Sequence, residues 1–269
     1  RDENDLYVWG ATRTIPSLGF VLEDVEPGQL VIKHRRIDGF GKFANVAVLK
    51  GEQVKIVDEQ GASLPDCPDL LEALRPFTAP ATWDDSVNVL VQLAASMRAH
   101  GHGGTLLVVP QAQEEWRTSI VHPIFYSVAP PFSKLANLIR KGPTPDTENE
   151  WQASLRSAVE SIAGLTAVDG ATVITNQFEV LAFGAKIMRA AGRALVEQMV
   201  LTEPIVGNQA EVVPPVQHGG TRHLSAAQFI HDQRESLALV ASQDGRFTVF
   251  AWSPCEVMVH AHRVDVLLL

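Results

Sequence analysis

Residues 87–109, VNVLVQLAASMRAHGHGGTLLVV, hold the change of period on which the fold depends. Val87, Leu90, Val91, Leu93, Ala94 and Met97 recur at the three- and four-residue spacing of an amphipathic helix. Asp84 and Asp85 suit the positive end of its dipole, and Arg98 and His100 the negative end, so the pattern predicts a helix beginning near residue 82. Gly101 ends it, because glycine takes the left-handed backbone of a helix terminus without steric cost. Thr105 to Val109 is then a short unbroken apolar run stopped by Pro110, which reads as a strand buried on both faces.

Working outward, the first third of the chain reads as β. Leu6 to Arg13 alternates; Phe20 to Glu26 and Gln29 to Arg35 form a hairpin about Pro27-Gly28; Ala44 to Leu49 and Gln53 to Asp58 form another about Lys50-Gly51-Glu52. Gly61, Pro65 and Pro68 mark residues 59–68 as a linker. Beyond the buried strand, residues 132–140 and 148–163 read as helices, separated by Pro143, Pro145 and Asp146. Ala171 to Thr175 and Phe178 to Phe183 read as a strand pair, 203–220 as a long polar loop, and Thr221 to Arg234 as a helix. Leu237 to Ala241 and Phe247 to Trp252 flank a turn at Gln243-Asp244-Gly245, and Val257 to His260 adds a strand. The expected fold is α/β: a mixed central β-sheet flanked by helices over about 82–262, with an N-terminal β-rich region over about 1–64.

Composition narrows the function. Among 269 residues, 46% are hydrophobic and 20% charged, which is globular rather than disordered, and the net charge of −9 disfavours a protein that coats a nucleic-acid polymer. No apolar run approaches transmembrane length and no signal-peptide pattern opens the chain, which begins on Arg1 as if trimmed. Cys67 and Cys255 form no CxxC pair and imply no disulfide framework, so a reducing, cytoplasmic setting is expected.

Several motifs have ordinary readings. Gly39-Phe-Gly-Lys42 lacks the spacing of a phosphate loop and reads as a turn. Gly101-His-Gly-Gly-Thr105 precedes a strand where a dinucleotide loop should follow one, so it reads as a helix stop and tight strand entry. His260 and His262 would share one face of a strand, but no third metal ligand is evident.

Two segments carry more. In Val168-Asp169-Gly170-Ala171 a carboxylate stands at the mouth of an apolar strand beside a residue with no side chain, where a ligand could approach the backbone. Such a carboxylate can hold a divalent ion or accept a proton; Asp-Gly is also ordinary turn chemistry. In Gly219-Gly220-Thr221-Arg222-His223, exposed N–H groups, a helix N-terminus and cationic side chains make an anion site, while Thr221 alone would also read as a plain cap.

Together, Asp169-Gly170-Ala171, Gly220-Thr221-Arg222-His223 and the later turn Ser242-Gln243-Asp244-Gly245 resemble the motifs of the diadenylate cyclase (DAC) domain family over roughly residues 82–260. That resemblance implies a nucleotide ligand, ATP or a cyclic dinucleotide, and two domains meeting face to face. It implies that Asp169 serves the attacking 3′-hydroxyl and a Mg²⁺ or Mn²⁺ ion. It places Gly170, Ala171, Gly219 and Gly220 close to the ligand, with Thr221, Arg222 and His223 on its phosphates. The family's second arginine is Leu224 here, its first turn glutamate is Gln243, and the stretch between the motifs is longer. Loss of an arginine removes a strong charge-assisted clamp. This pattern is similar to DAC-related nucleotide-sensor proteins of bacteria, so sensing is expected ahead of cyclisation of ATP to cyclic di-AMP.

Overall fold

A computed structural model describes residues 20–35, 43–58, 63–77, 88–124, 126–144, 146–217 and 219–269. The expected strand at Leu6 to Arg13, the Gly39–Lys42 turn and the helix start at 82–87 lie outside these residues. The chain divides into two units, Arg1–Val57 and Asp58–Leu269.

In the first unit β1 (Phe20–Glu26), β2 (Gln29–Arg35), β3 (Phe43–Lys50) and β4 (Gln53–Ile56) follow one another in an antiparallel meander. Gly28 and Gly51 take positive φ in the two tight turns, which fixes the hairpin registers Glu26↔Gln29 and Lys50↔Gln53.

The second unit is built on a nine-stranded mixed sheet. Its elements in chain order are α1 (Pro68–Leu74), α2 (Val89–Ala99), β5 (Gly104–Val109), β6 (Tyr126–Phe132), α3 (Lys134–Lys141), α4 (Glu148–Leu165), β7 (Ala171–Thr175) and β8 (Val180–Ala185). There follow β9 (Met199–Thr202), β10 (Glu211–Val213), α5 (Thr221–Asp232), β11 (Leu237–Ala241), β12 (Phe247–Ser253) and β13 (Met258–Arg263). The strand order is β10-β9-β13-β12-β11-β5-β7-β8-β6, parallel between β5 and β7 and between β13 and β9, antiparallel elsewhere. Every residue of β5 and β7 is buried, as their unbroken apolar runs require. Alternation along β5 sends Leu107 and Val109 into one core with Val173, Val240, Phe250 and the α5 residues Ala226, Ala227, Phe229 and Ile230. Gly104, of opposite parity, faces the end of α4, where a Cβ would fall 2.6 Å from the Thr166 carbonyl oxygen. The sheet is therefore covered on both faces, by α5 on one and α4 with its partner α2 on the other.

Several boundaries differ from expectation. Helix α2 begins at Val89, where the Asn88 side chain accepts from Val91 N–H at 3.2 Å. Pro68 is not linker: it opens α1, in the first-turn position where a proline's missing N–H costs nothing. The long polar region contains β10, and β6 and β9 were not anticipated. Helix α1 packs on β12, which brings Cys67 to Cys255 in the turn after that strand, and the two form a disulfide. This corrects the reading of two unlinked cysteines, and the argument for a reducing compartment falls with it. Their sequence separation of 188 gave no spacing signal.

The HxH pair is structural in placement. His260 and His262 are buried on β13, and the Thr202 hydroxyl on neighbouring β9 lies 2.8 Å from His260 Nε2 and 2.8 Å from His262 Nδ1. Glu256 Oε2 lies 3.6 Å from His260 Nδ1. Among the described residues no three His, Cys, Asp or Glu side chains could share a metal ion.

Candidate functional site

The N-terminal ends of the parallel strands β5 and β7 meet the N-terminus of α5 around a cavity of about 400 Å³. Its floor is Thr105, Ala171 and Ala185; Asp169 and Gly170 form the rim before β7; Lys186 and Ile187 follow β8; Thr221, Arg222 and Ser225 come from α5. Asp169, Gly170, Ala171, Thr221 and Arg222, singled out in sequence from segments some fifty residues apart, thus share one cavity.

Local physics explains the rim. Gly170 has φ +109, and a Cβ there would lie 2.5 Å from the Gly184 carbonyl carbon. The missing side chain serves the close approach of β7 to the end of β8, and Gly170 also lines the cavity. Asp169 is left exposed at the cavity mouth.

At the opposite wall Gly220, not Thr221, is the N-cap of α5, and no side chain caps the helix. Thr221 and Arg222 lie in the first turn, where amide N–H groups lack intrahelical acceptors and the dipole favours an anion. The guanidinium of Arg222 lies against the loop before β5, where a Cβ on Gly103 would fall 2.9 Å from its Nη1. Gly101 ends α2 with φ +69 as anticipated, but Gly103 does more than admit the chain into β5: it makes room for Arg222.

His223, expected on ligand phosphates, does not line the cavity. It is 6% exposed, its ring meets Phe250 edge-on at 5.9 Å, and its Nε2 lies 3.4 Å from Thr248 Oγ1. Burial drives its pKa down to about 4, with Asp244 only partly opposing the shift. Gly219, also outside the cavity lining, is small because that ring lies over it: an added Cβ would sit 2.3 Å from the imidazole. Gly220 meets nothing within 4 Å. The helix period carries the signal that was overlooked, since His223, Ala226, Ala227 and Ile230 form one i, i+3, i+4, i+7 core stripe. Ser242-Gln243-Asp244-Gly245 forms the β11–β12 turn and is not part of the cavity lining; Gln243 Nε2 donates to the His102 carbonyl at 3.2 Å, and Asp244 pairs with Arg246 at 3.2 Å.

Thr105, Lys186 and Ser225 were not read as site residues. Thr105 is 4% exposed, and its hydroxyl has no hydrogen-bond partner among the described residues. A polar residue opening an apolar strand was the available clue. The segment carrying Lys186 is fixed on both sides. Val121 N–H donates to the Lys186 carbonyl at 2.8 Å, and buried Asp232 of α5 accepts from Ala190 N–H at 2.8 Å. Among the described residues Asp169 is the one carboxylate lining the cavity, and a single carboxylate does not make an all-protein metal cage.

A second cavity, of about 280 Å³, lies at the far ends of β5 and α5, between Pro110, Trp116, Arg193 and Gln233. Arg234 at its edge is exposed and stacks 3.9 Å over the Trp252 ring.

Fold and site define a mixed α/β protein with a polar, cation-bearing cavity at one end of its parallel strand pair. No protein-family model matches the chain, and no curated protein matches it. Among solved structures it is similar to a hypothetical membrane spanning protein from Bacillus cereus, with 16% identity, a TM-score of 0.38, and 72% of this chain and 69% of that chain covered. It is also similar to DacA from Staphylococcus aureus, with 13% identity, a TM-score of 0.31, and coverage of 65% and 83%. Likenesses this remote carry no argument about function. No helix among the described residues is long and apolar enough to cross a membrane.

Proposed function

We propose that the second unit binds a nucleotide, ATP-like or a cyclic dinucleotide, and acts as a sensor rather than as an efficient diadenylate cyclase. The observation that carries this reading is the shared cavity of Asp169-Gly170-Ala171 and Thr221-Arg222, which come from two of the three motifs on which the DAC resemblance rests. Arg222 and the first amides of α5 bind phosphate, and Asp169 faces the ribose or a phosphate-held Mg²⁺ or Mn²⁺. Leu224, in place of an arginine, removes a clamp for a leaving pyrophosphate, and His223 is turned into the core. Binding therefore survives losses that turnover does not.

The test is incubation with ATP and Mn²⁺ beside a thermal-shift screen of ATP and cyclic dinucleotides. Stabilisation without product is expected. Efficient release of two pyrophosphates per cyclic di-AMP would establish the cyclase instead, and neither effect would reduce the motifs to a turn and a helix start. For a ligand that binds, Arg222→Ala should weaken affinity about tenfold or more, the cost of about 1.5–3 kcal/mol for one charged hydrogen bond. Calorimetric titration against Arg156→Ala, on α4 and outside the cavity, measures it; equal affinities of the two folded variants would remove Arg222 from the site.

A further inference from the structure

We infer that Lys186 is a second phosphate-binding residue, and that the cavity selects ligands carrying at least two linked phosphates. The inference rests on the nucleotide reading for the identity of the ligand, but its own observations are separate. Among the described residues three charged side chains line the cavity, Asp169, Lys186 and Arg222, and none has an ion-pair partner there. Their sum is one positive charge, to which the open N-terminus of α5 adds its partial charge. The two cations stand on different elements, Arg222 on α5 and Lys186 just beyond β8, so one phosphate at the helix end leaves the ammonium for another.

The floor between them points to the same chemistry. Thr105 is 4% exposed as a residue, its hydroxyl has no partner among the described residues, and it is part of the lining. A hydroxyl facing the cavity is free to donate to a ligand, and a bridging phosphate oxygen is a suitable acceptor. Ser225 adds a hydroxyl one helical turn after Thr221 on the same wall. Among the described residues no aromatic side chain lines the cavity to stack a base. Recognition therefore falls on charge and hydroxyl donors, and affinity should climb with phosphate number more than with the identity of the base. The pinned backbone on either side of Lys186 directs a flexible, compact ammonium from a fixed root, which suits contact with a mobile phosphate chain.

The experiment is calorimetric titration of the whole chain with adenosine, AMP, ADP, ATP and inorganic pyrophosphate. The proteins compared are the parent, Lys186→Gln, Lys186→Arg, Thr105→Val and, as a distant surface control, Lys141→Gln. All should keep the fold, which circular dichroism checks, since Lys186 and Lys141 are exposed and Thr105→Val preserves shape. In the parent, affinity should rise from AMP to ADP and ATP. Lys186→Gln should weaken ATP and pyrophosphate about tenfold while changing AMP less than about twofold, Lys186→Arg should restore most of the loss, and Lys141→Gln should do nothing. Equal binding of ATP and pyrophosphate by the parent and Lys186→Gln would overturn the role of Lys186 and leave the nucleotide reading standing. Pyrophosphate binding that needs Lys186, in a parent that takes no nucleotide, would keep the anion subsite and refute the nucleotide reading. Binding of neither probe by the parent would overturn both.

Discussion

Acidification from about pH 7.5 to about pH 5 is expected to remove about 6 kcal/mol of folding stability, enough to unfold a domain whose whole stability is about 5–15 kcal/mol. Three buried imidazoles cause it. Burial holds His223 and His260 at about 4 and His262 at about 3, against the ordinary 6.5. Each is shut away from water: His223 against Phe250, His260 and His262 between β9 and β12. Glu256 pulls His260 upward and Asp244 pulls His223 upward, while Arg222, Arg246 and Arg263 push His223 down, and desolvation is the largest cause for all three. The sign follows from proton counting. Below 6.5 the unfolded chain binds protons that the folded protein refuses, so stability is full above that value and declines toward the folded pKa values near 4 and 3. At about pH 5 each histidine contributes about 2 kcal/mol to the loss. Urea midpoints measured across this range check it, and replacing His223 by Gln should remove about a third of the slope. A midpoint flat between the two pH values would mean that the rings are not held neutral.

Reduction of the Cys67–Cys255 bond should lower stability by about 5 kcal/mol, the loop-closure entropy expected for a bridge across so long a segment. Cys67 is fully buried at the start of α1, whereas Cys255 is exposed in the turn between β12 and β13, so a reductant has access from that side. The bond fastens α1 to the sheet, to which it is otherwise held through Leu70 and Leu74. Denaturant curves with and without reductant measure the effect, and Cys255→Ser without reductant should match the reduced parent. If the reduced parent and Cys255→Ser both unfold at the midpoint of the oxidised parent, the bond does not constrain the unfolded chain.

Much of the fold was legible where local chemistry decides it. The hairpins β1–β2 and β3–β4 end within a residue or two of their expected bounds because Gly28 and Gly51 fix the turns. β5, β7 and the start of α5 were legible because apolar runs and glycine stops have few other uses. The rest depended on partners far along the chain. β6 contains two prolines and sits at the sheet edge, where a missing N–H does no harm, so its sequence did not read as strand. β9 is a short run made a strand by pairing with β13 some sixty residues later. The site divides the same way. Asp169, Thr221 and Arg222 announce themselves through neighbours in sequence, whereas Thr105 and Lys186 reach the cavity because the sheet order places β5 and β8 on either side of β7.

The Thr202 hydroxyl has a single proton but two ring nitrogens at 2.8 Å. It can donate to one ring and must accept from the other, so the two bonds have a direction. The Glu256 carboxylate 3.6 Å away draws the proton of His260 to Nδ1, leaving Nε2 bare to receive the hydroxyl proton. Thr202 then accepts from Nδ1–H of His262, and both neutral rings hold the same tautomer. Dipoles align from His262 through Thr202 and His260 toward Glu256, as a one-way wire rather than two independent contacts. Serine could take the place of Thr202 in that row; valine, with nearly the same volume, would leave two buried ring nitrogens facing a methyl group.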